Sequence, residues 1–186
     1  MQKFDGKQIE IVEKPDWVSW DDIKQCLIDA HAENRSKGIH MTHYLWPVEK
    51  IQDYIEGNNG KMFVALDGDN VIGTAAYRIQ NGAEWYRHGR YAYVCFGSVL
   101  PKYTGMGVLR AMNKERDKSI KDSGVSTLFF DTNLKNTRRM SIAFKEGYHL
   151  VDIEYYHDHY SSSSNYDDDD DQAVQLPSNT GRVWEM

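Results

Sequence analysis

Two glycines, Gly105 and Gly107, stand between an apolar run over residues 91–100 and a segment with helical spacing over residues 108–123. This order predicts a buried strand, a tight turn and a helix N-terminus. The first N–H groups of a helix lack acceptors within it and carry the positive end of its dipole. Because glycine also lets a bulky anion approach the backbone, the junction is typical of a phosphate site. The same pattern occurs in ordinary loops, so its context must decide between the two interpretations.

A second segment, about 30 residues further along the chain, supplies that context. Asn136 opens a predicted helix, and the pair Gly147-Tyr148 closes it. Together the two segments resemble the GNAT superfamily of N-acetyltransferases, which use acetyl-CoA. In that family the first segment usually reads Val-x-Pro-x-Tyr-Arg-Gly-x-Gly-Ile-Gly, and the second reads roughly Asn-x-x-Ala-x-x-Leu-Tyr-x-x-x-Gly-Phe. The chain keeps Gly107 and the spacing of eleven between Asn136 and Gly147. The resemblance covers roughly residues 8 to 157.

Three positions depart from the family pattern. Thr104 stands where the family has Arg or Gln, and Leu109 stands where it has Gly or Ala. Ala143 occupies the usual position of a tyrosine, and alanine cannot donate a proton. The departure at Thr104 matters little if the backbone holds the cofactor, whereas that at Ala143 leaves the general acid open. Ala143 is also the feature that favours a non-catalytic acyl-CoA-binding regulatory module as an alternative function.

The resemblance implies an α/β (α+β) fold of the acyl-CoA N-acyltransferase type, with a central mixed, mostly antiparallel twisted sheet flanked by helices. The elements predicted from the pattern agree, because hairpins come first and strand–helix–strand units follow. Apolar patterning predicts strands at 8–13, 61–66, 71–80, 91–100, 126–132 and 150–157. A capping box at Ser19 opens a first helix that we expect to stop at Gly38, and further helices are expected after Pro47, at 108–123 and at 137–146. Residues 81–90 are expected to form a connection.

The composition changes near the C-terminus. We expect residues 1–160 to form the acetyltransferase domain and residues 161–180 an acidic Ser- and Asp-rich insertion or tail. Residues 181–186 have the pattern of a final strand. The run Asp167 to Asp171 supplies five of the acidic charges behind a net charge of −6, so the rest of the chain is close to neutral. The domain therefore lacks the positive excess of a nucleic-acid binder.

Several residues are candidates for holding the cofactor. The backbone around the glycine turn is expected to bind phosphate. The resemblance implies that the end of the preceding strand pairs with the pantetheine arm of the cofactor. It also implies that a backbone N–H near Val99 faces the thioester oxygen. It also implies a contact from Asn136. Lys102 and Arg110 flank the turn and either contact phosphates or are solvated surface charges. The expected cofactor-binding residues are Ser98, Val99, Leu100, Thr104, Gly105, Met106, Gly107, Val108, Leu109 and Asn136.

Acetyl transfer requires a neutral amine, although the pKa of a free alkylamine is near ~10. Asp131, at the end of an apolar strand, is our candidate general base, and some family members carry a Glu at the matching place. Two alternative roles for Asp131 are to cap a turn or to form an ion pair with Arg138 or Arg139. A third alternative is that water relays the proton from the amine without a dedicated residue. Tyr148 is a candidate acid beside Ser141, Tyr103 and Cys95, and a CoA thiol can also leave without an acid.

The acceptor is expected to contact the first helices and the segment before the central strand. Aromatic and polar side chains crowd both regions, which suits a small amine or an amino sugar but also a lid that only packs on the sheet. The candidates are His31, Asn34, Trp46 and Trp85. The pairs His40–His43 and His157–His159 lack a complete ligand set, so we expect no metal.

These observations predict an N-acetyltransferase that moves an acetyl group from acetyl-CoA to a primary amine of a small molecule such as an amino sugar, an amino acid or a polyamine. Acetylation of a protein N-terminus or of lysine is the enzymatic alternative. No apolar run approaches the ~20 residues that span a bilayer, and because residues 1–5 are not an apolar stretch we expect no secretory signal. Two isolated cysteines favour a reducing compartment, so we expect a cytoplasmic protein without membrane or nucleic-acid partners. A homodimer is compatible with the sequence, which does not determine the oligomeric state.

Overall fold

A computed structural model describes residues 2–39, 46–84, 87–133, 135–153 and 182–185 of the chain. The strands in these ranges are β1 (Gln2–Phe4), β2 (Lys7–Glu13), β3 (Lys61–Asp67), β4 (Asn70–Glu84), β5 (Arg87–Val99), β6 (Leu128–Asp131), β7 (His149–Ile153) and β8 (Arg182–Glu185). The helices are α1 (Trp20–Ala30), α2 (Ala32–Ser36), α3 (Val48–Glu56), α4 (Val108–Asp122) and α5 (Thr137–Lys145). Among these helices, none is long and apolar enough to cross a bilayer.

The strands form one sheet in the order β1-β2-β3-β4-β5-β6-β8-β7. Neighbouring strands pair antiparallel except β5 and β6, which are parallel. The parallel pair follows from the chain path, because β5 and β6 are joined by the crossover helix α4. The predicted class, a mixed and mostly antiparallel sheet flanked by helices, is confirmed.

Helices cover both faces of this sheet. On one side, the α1 face, Ile23 and Leu27 of α1 and Ile51 of α3 pack against sheet residues such as Val64 and Ala76. On the other side, the α4 face, the helices α4 and α5 pack against the sheet. Their core contacts on that side include Met112, Ile120, Ala143, Ile72 and Phe130. The two apolar layers hold β4 and β5 between them, so these strands are packed on both faces.

The structure corrects three predictions about the elements. Residues 81–90 are not a separate connection, because β4 and β5 pair through this region as far as Glu84 opposite Arg87. Asn81, Gly89 and Arg90 are exposed, so this part of the hairpin needs no apolar pattern and gave no strand signal. The first helix does not run to Gly38 but ends at Ala30, and α2 follows as a separate helix. The strand β1 was not predicted.

The predicted cap of α1 is present. The backbone N–H of Asp22 donates to Ser19 Oγ at 3.1 Å, and the backbone N–H of Ser19 donates to a carboxylate oxygen of Asp22 at 3.1 Å. These reciprocal bonds satisfy N–H groups that the helix cannot satisfy itself. The predicted insertion at 161–180 lies outside the described residues.

Candidate active site

The sheet opens between β5 and β6. These strands pair only at Ala92 with Leu128 and at Tyr93 with Phe129. Beyond Tyr93, β5 continues to Val99 with β4 on one side, and no described strand pairs with it on the other. The open edge over residues 94–99 therefore offers backbone groups to an extended ligand, as a sheet edge does to an added strand.

A β-bulge orients this open edge. Thr74 pairs with Ser98 and Ala76 with Cys95, so Phe96 and Gly97 together oppose Ala75. Phe96 has a φ of 53°, which is uncommon for a bulky residue. The buried hydroxyl of Thr74 donates to the Phe96 carbonyl oxygen at 2.6 Å and lies 2.9 Å from Ser98 Oγ. These bonds hold the bulge in one geometry.

The backbone beyond the bulge faces the opening. The N–H of Leu100 donates to the carbonyl oxygen of Ile72 on β4 at 2.9 Å. Since successive residues of a strand direct their N–H groups to opposite sides, the N–H of Val99 points away from β4 and towards the open edge. This direction agrees with the sequence-based expectation that a N–H near Val99 faces a ligand.

The glycine turn forms the N-terminus of α4. Gly105 and Gly107 have φ values of 88° and 87°, and a Cβ at either position would meet no atom within 4 Å. No side chain caps the helix, and its first turn carries no acidic residue. The first bond from this end runs from the N–H of Ala111 to the Gly107 carbonyl oxygen at 3.0 Å, so the N–H groups of 108–110 have no acceptor in the described part. We call the turn 104–109 the cradle; it fits a phosphate group.

A short 3-10 turn, Pro101–Tyr103, connects β5 to the cradle and is bound to β3. Tyr103 donates its phenol hydrogen to a carboxylate oxygen of Asp67 at 2.7 Å. Lys7 lies 3.3 Å from the same oxygen and 4.6 Å from the centre of the Tyr103 ring. The hydrogen bond from Tyr103 and then that from Lys7 lower the pKa of the Asp67 carboxyl. The two strands thereby fix the position of the turn.

A cleft of about 570 Å³ continues from the cradle along α4 towards the end of α5. Its cationic side chains are Arg110, Lys114 and Lys145. Its other lining residues are Gly107, Ala111, Asn113, Asp117, Glu146 and Tyr148. The side-chain oxygen of Asn113 is buried there without a hydrogen-bond partner in the described chain. The cations, this free acceptor and the cradle N–H groups fit a long phosphorylated ligand such as CoA.

Tyr148 contributes a phenol to this cleft. It is 4% exposed, and its ring packs edge-on to Phe130 with centroids 5.0 Å apart. Burial raises the pKa of the phenol, so it stays protonated at neutral pH and able to donate. Ala143 is fully buried, and its carbonyl oxygen accepts from the N–H of Tyr148 at 3.0 Å. Ala143 and Tyr148 belong to the same buried cluster.

An aromatic pocket lies on the α1 face at the opening. Trp46, Tyr54 and Phe96 pack edge-on with centroids 5.1, 5.8 and 6.5 Å apart. The Arg78 guanidinium lies 3.8 Å from the ring centre of Tyr54 and 5.3 Å from that of Tyr93. Burial raises the pKa of Tyr54, with Cys95 and Asp131 adding to the effect and Arg78 opposing it. We use "aromatic pocket" for Trp46, Tyr54, Tyr93 and Phe96.

Asp131, the candidate base, ends β6 beside this pocket. Strand alternation places it on the same face as Phe129, which packs edge-on to Tyr91 on the α1 face at 5.1 Å. Its charge acts on Tyr54, which places the carboxylate near the pocket. Phe129, two residues earlier, is the last residue of β6 that pairs with β5, so Asp131 lies where the two strands separate.

Other predicted residues are engaged in the fold. Asn136 caps α5, with its side-chain oxygen accepting from the Arg139 N–H at 3.2 Å. Ser98 is buried and lies against Thr74. Val99 and Leu100 pack towards α4. Thr104 is exposed. These side chains leave the binding role to the backbone.

The predicted acceptor residues divide between the described and undescribed parts. His31 is buried, with its Nδ1 3.0 Å from the side-chain nitrogen of Asn34. Burial, and then the charge of Arg35, lower the pKa of His31 to about 4, so it is neutral near pH 7. Trp85 and the paired histidines His40, His43, His157 and His159 lie outside the described residues. Within the described ranges, no group of three or more His, Cys, Asp or Glu could hold a metal.

Sequence reasoning missed Tyr54, Arg78 and Asn113. Tyr54 was assigned only to the apolar stripe of its helix. The sequence did contain a signal for Arg78. In a strand, alternate residues face the same side, so Arg78 lies on the same side as the buried Thr74 and Ala76, where an apolar residue is expected in place of a charged one. Asn113 had no signal, since polar residues are frequent on helices.

A family model, described as the acetyltransferase (GNAT) family, matches residues 20–148. This match confirms the resemblance that the two segments indicate. A comparison with curated protein sequences finds no match.

Solved structures resemble the whole fold. An acetyltransferase from Streptococcus agalactiae is 16% identical, with a TM-score of 0.65 over 95% of this chain and 96% of that chain. The PaiA N-acetyltransferase of Thermoplasma acidophilum, in complex with coenzyme A, is 15% identical, with a TM-score of 0.59 over 96% and 98%. A predicted acetyltransferase from Clostridium acetobutylicum, with acetyl-CoA, is 14% identical, with a TM-score of 0.56 over 85% and 96%. At these identities the likeness establishes the fold.

Proposed function

The chain belongs to the acetyltransferase (GNAT) family and is an acyltransferase, and from this premise we propose that it transfers the acetyl group of acetyl-CoA to a primary amine of a small molecule. The observation that carries the proposal is the cradle at the N-terminus of α4 directly after the open edge of β5. The cradle suits the pyrophosphate, and the open edge suits the pantetheine arm as an added strand. Two of the similar structures contain acetyl-CoA or CoA.

The residues around the opening have distinct roles in this reaction. The N–H of Val99 donates to the thioester oxygen as negative charge develops on it. Asp131 takes a proton from the amine, which must be neutral to attack. Tyr148 donates a proton to the departing thiolate, and its raised pKa keeps that proton available near neutral pH. The aromatic pocket excludes water from the acceptor.

The decisive test is a calorimetric titration with acetyl-CoA, followed by an assay of CoA thiol release with a panel of amines. CoA lacking the 3′-phosphate serves as the comparison ligand. Saturable binding of acetyl-CoA with amine-dependent thiol release supports the proposal. Binding without turnover of any amine would limit the chain to holding the cofactor, and absence of binding would remove the cradle from the proposal.

We predict that Asp131→Asn lowers the rate of acetyl transfer at neutral pH about 100-fold, the size of a lost general base, without changing acetyl-CoA affinity. Glu13→Gln is the matched control, because Glu13 also ends a strand but pairs with Lys61 at 2.8 Å away from the opening. Steady-state kinetics and titration measure the two quantities. A rate that falls equally in both variants would exclude Asp131 as the base.

We also propose that the reaction takes place in the cytoplasm. Both cysteines of the chain, Cys26 and Cys95, are free thiols, which is consistent with a reducing compartment. Desolvation raises the pKa of each to about 12, so both stay protonated near neutral pH. A homodimer stays a prediction that size-exclusion chromatography with light scattering would test.

A further inference from the structure

Arg78 is a cation on β4 that forms no ion pair within the described part of the chain. The residue is half-buried, and its guanidinium lies near the rings of both Tyr54 and Tyr93. Its Nε is buried and has no hydrogen-bond partner among the described residues. Stacking on aromatic rings holds the guanidinium plane but satisfies none of its five N–H donors. A buried donor without an acceptor is costly, so the arrangement is typical of a group that awaits a ligand.

The position of Arg78 connects it to the opening of the sheet. Arg78 is the register partner of Tyr93, which is the last residue of β5 that pairs with β6. Tyr54 lies against Arg78, and the charges of both Arg78 and Asp131 act on its phenol. A cation and a carboxylate therefore border the same aromatic pocket, beside the edge of β5 that faces the acetyl donor in the proposed function.

We propose that the acceptor carries a carboxylate in addition to its amine, and that Arg78 binds this carboxylate while the amine is directed towards Asp131. The proposal rests on the proposed function, whose substrate class it specifies. A guanidinium binds a carboxylate through two parallel N–H···O bonds, and the contact of Arg78 with the Tyr54 ring at 3.8 Å restricts where its guanidinium can lie. The acceptor is then an amino acid or a related amino carboxylate.

The charges around the pocket favour a carboxylate over other groups. A phosphate dianion is usually bound by more than one cation. The second arginine near this region is Arg116, whose charge, like that of Arg78, acts on the neighbouring Cys95. Arg116 is 3% exposed and already paired with Asp117 at 2.7 Å, so it does not supply the second cation. A polyamine would place additional positive charge beside Arg78. A neutral amino sugar would leave the buried Nε donor without an anionic acceptor.

The test compares acceptors that differ in one group. An amino carboxylate such as β-alanine is assayed for thiol release against its amide, the decarboxylated amine ethylamine, phosphoethanolamine, putrescine and glucosamine. We expect kcat/KM for the carboxylate to exceed that for its amide by about tenfold to 100-fold, the usual range for charge-assisted hydrogen bonds. Equal values for the carboxylate and its amide would overturn the proposal, and a preference for phosphoethanolamine would replace the carboxylate by a phosphate.

Variants assign the preference to the residue. We expect Arg78→Gln to abolish the ratio of kcat/KM between the carboxylate and its amide, and Arg78→Lys to retain part of it, because a lysine supplies the charge without the fork. Arg90→Gln is the matched control, since Arg90 is an exposed arginine of β5 that donates to the Ser123 carbonyl oxygen. A ratio that survives in Arg78→Gln would overturn the assignment.

A binding measurement separates this inference from the proposed function. N-acetyl-β-alanine and its amide are titrated into the protein, with and without saturating CoA, so no turnover is required. Tighter binding of the carboxylate that is lost in Arg78→Gln supports the anion site even where no amine is acetylated. Equal binding of both compounds overturns the inference, whereas acetyl-CoA binding and turnover of other amines would leave the proposed function intact.

Discussion

Gly107 is the residue on which cofactor binding depends most directly. Its φ of 87° lies in the left-handed region, and the space where a side chain would stand is open. We predict that Gly107→Glu weakens acetyl-CoA binding at least about tenfold. The new carboxylate lies at the helix N-terminus, where the phosphate is proposed to bind, so it fills this position and repels the phosphate. Calorimetric titration measures the affinity.

Gly124 supplies the control for this substitution. It stands at the other end of α4 with a φ of 77° and open space around its Cβ position. Gly124→Glu should therefore cost a similar amount of backbone strain, about 1 to 2 kcal/mol, and leave acetyl-CoA affinity unchanged. Equal losses of affinity in the two variants would attribute the effect to stability and not to the cradle.

Side chains in the proposed cofactor site mostly stabilise the fold. Asn136 caps α5, and Ser98 is bonded to Thr74 inside the bulge. If the N–H groups of Val99 and of the cradle bind the cofactor as proposed, we expect that having Thr104 in place of the family's Arg or Gln removes little. We expect a larger consequence at Ala143, because the proposed acid is then Tyr148, whose side chain lines the cleft.

At the scale of elements, the bulge in β5 determines how the open edge faces its ligand. Thr74 is fully buried and bonds both the Phe96 carbonyl oxygen and Ser98 Oγ. We predict that Thr74→Val lowers the free energy of unfolding by about 1 to 3 kcal/mol, because it leaves these groups unsatisfied, and that it raises KM for acetyl-CoA. Denaturant unfolding and steady-state kinetics measure the two effects.

A double-mutant cycle tests whether the effect belongs to the pair of hydroxyls. Ser98→Ala removes the second hydroxyl, so the double variant Thr74→Val/Ser98→Ala should lose less stability than the two single losses added together. Strict additivity would mean that the hydroxyls act independently and do not hold the bulge as a unit.

The turn before the cradle is a second element with a specific anchor. Tyr103→Phe removes the bond to Asp67 that ties the turn to β3. We predict a loss of about 1 kcal/mol in stability with a several-fold weaker affinity for acetyl-CoA, because the cradle is less well positioned. Tyr77→Phe is the control, since it removes a similar 3.0 Å bond to Ser119 remote from the cradle. Unchanged affinity in Tyr103→Phe would separate the anchor from binding.

At the scale of the whole molecule, local patterns predicted the elements that have a buried face. The strand, glycine turn and helix over 91–123 were predicted because apolar spacing and glycine report local backbone geometry. The hairpin arms at 81–90 were missed, since they carry polar residues and Asn81, Gly89 and Arg90 are exposed. The break between α1 and α2 was missed as well, because helical spacing continues across it.

The chemistry of the site was harder to predict than the fold. Asp131 and the cradle became candidates because each follows a recognisable strand. The pairing of Arg78 with Tyr54 joins β4 to α3, and no local pattern encodes a contact between those elements. The opening of β5 from β6 also depends on where the pairing stops, which is a property of the folded sheet.

Stability of the whole molecule should depend on pH through His31. Burial lowers its folded pKa to about 4, below the ordinary value of 6.5, so its neutral form is favoured by folding. The contribution is fully present above the unfolded pKa and is lost as the pH falls towards the folded one. Between about pH 7.5 and pH 5 this amounts to a loss of about 2 kcal/mol in the free energy of unfolding.

Denaturant unfolding of the wild type and of His31→Gln across this range isolates the effect from the other histidines. The glutamine variant is expected to be less stable at pH 7.5 and to show a shallower decline, so the difference between the two proteins narrows on acidification. The range ends near pH 5 because Asp67, with its lowered pKa, keeps its ion pair above that point. Parallel declines in the two proteins would mean that His31 takes up its proton in the folded state as readily as in the unfolded chain.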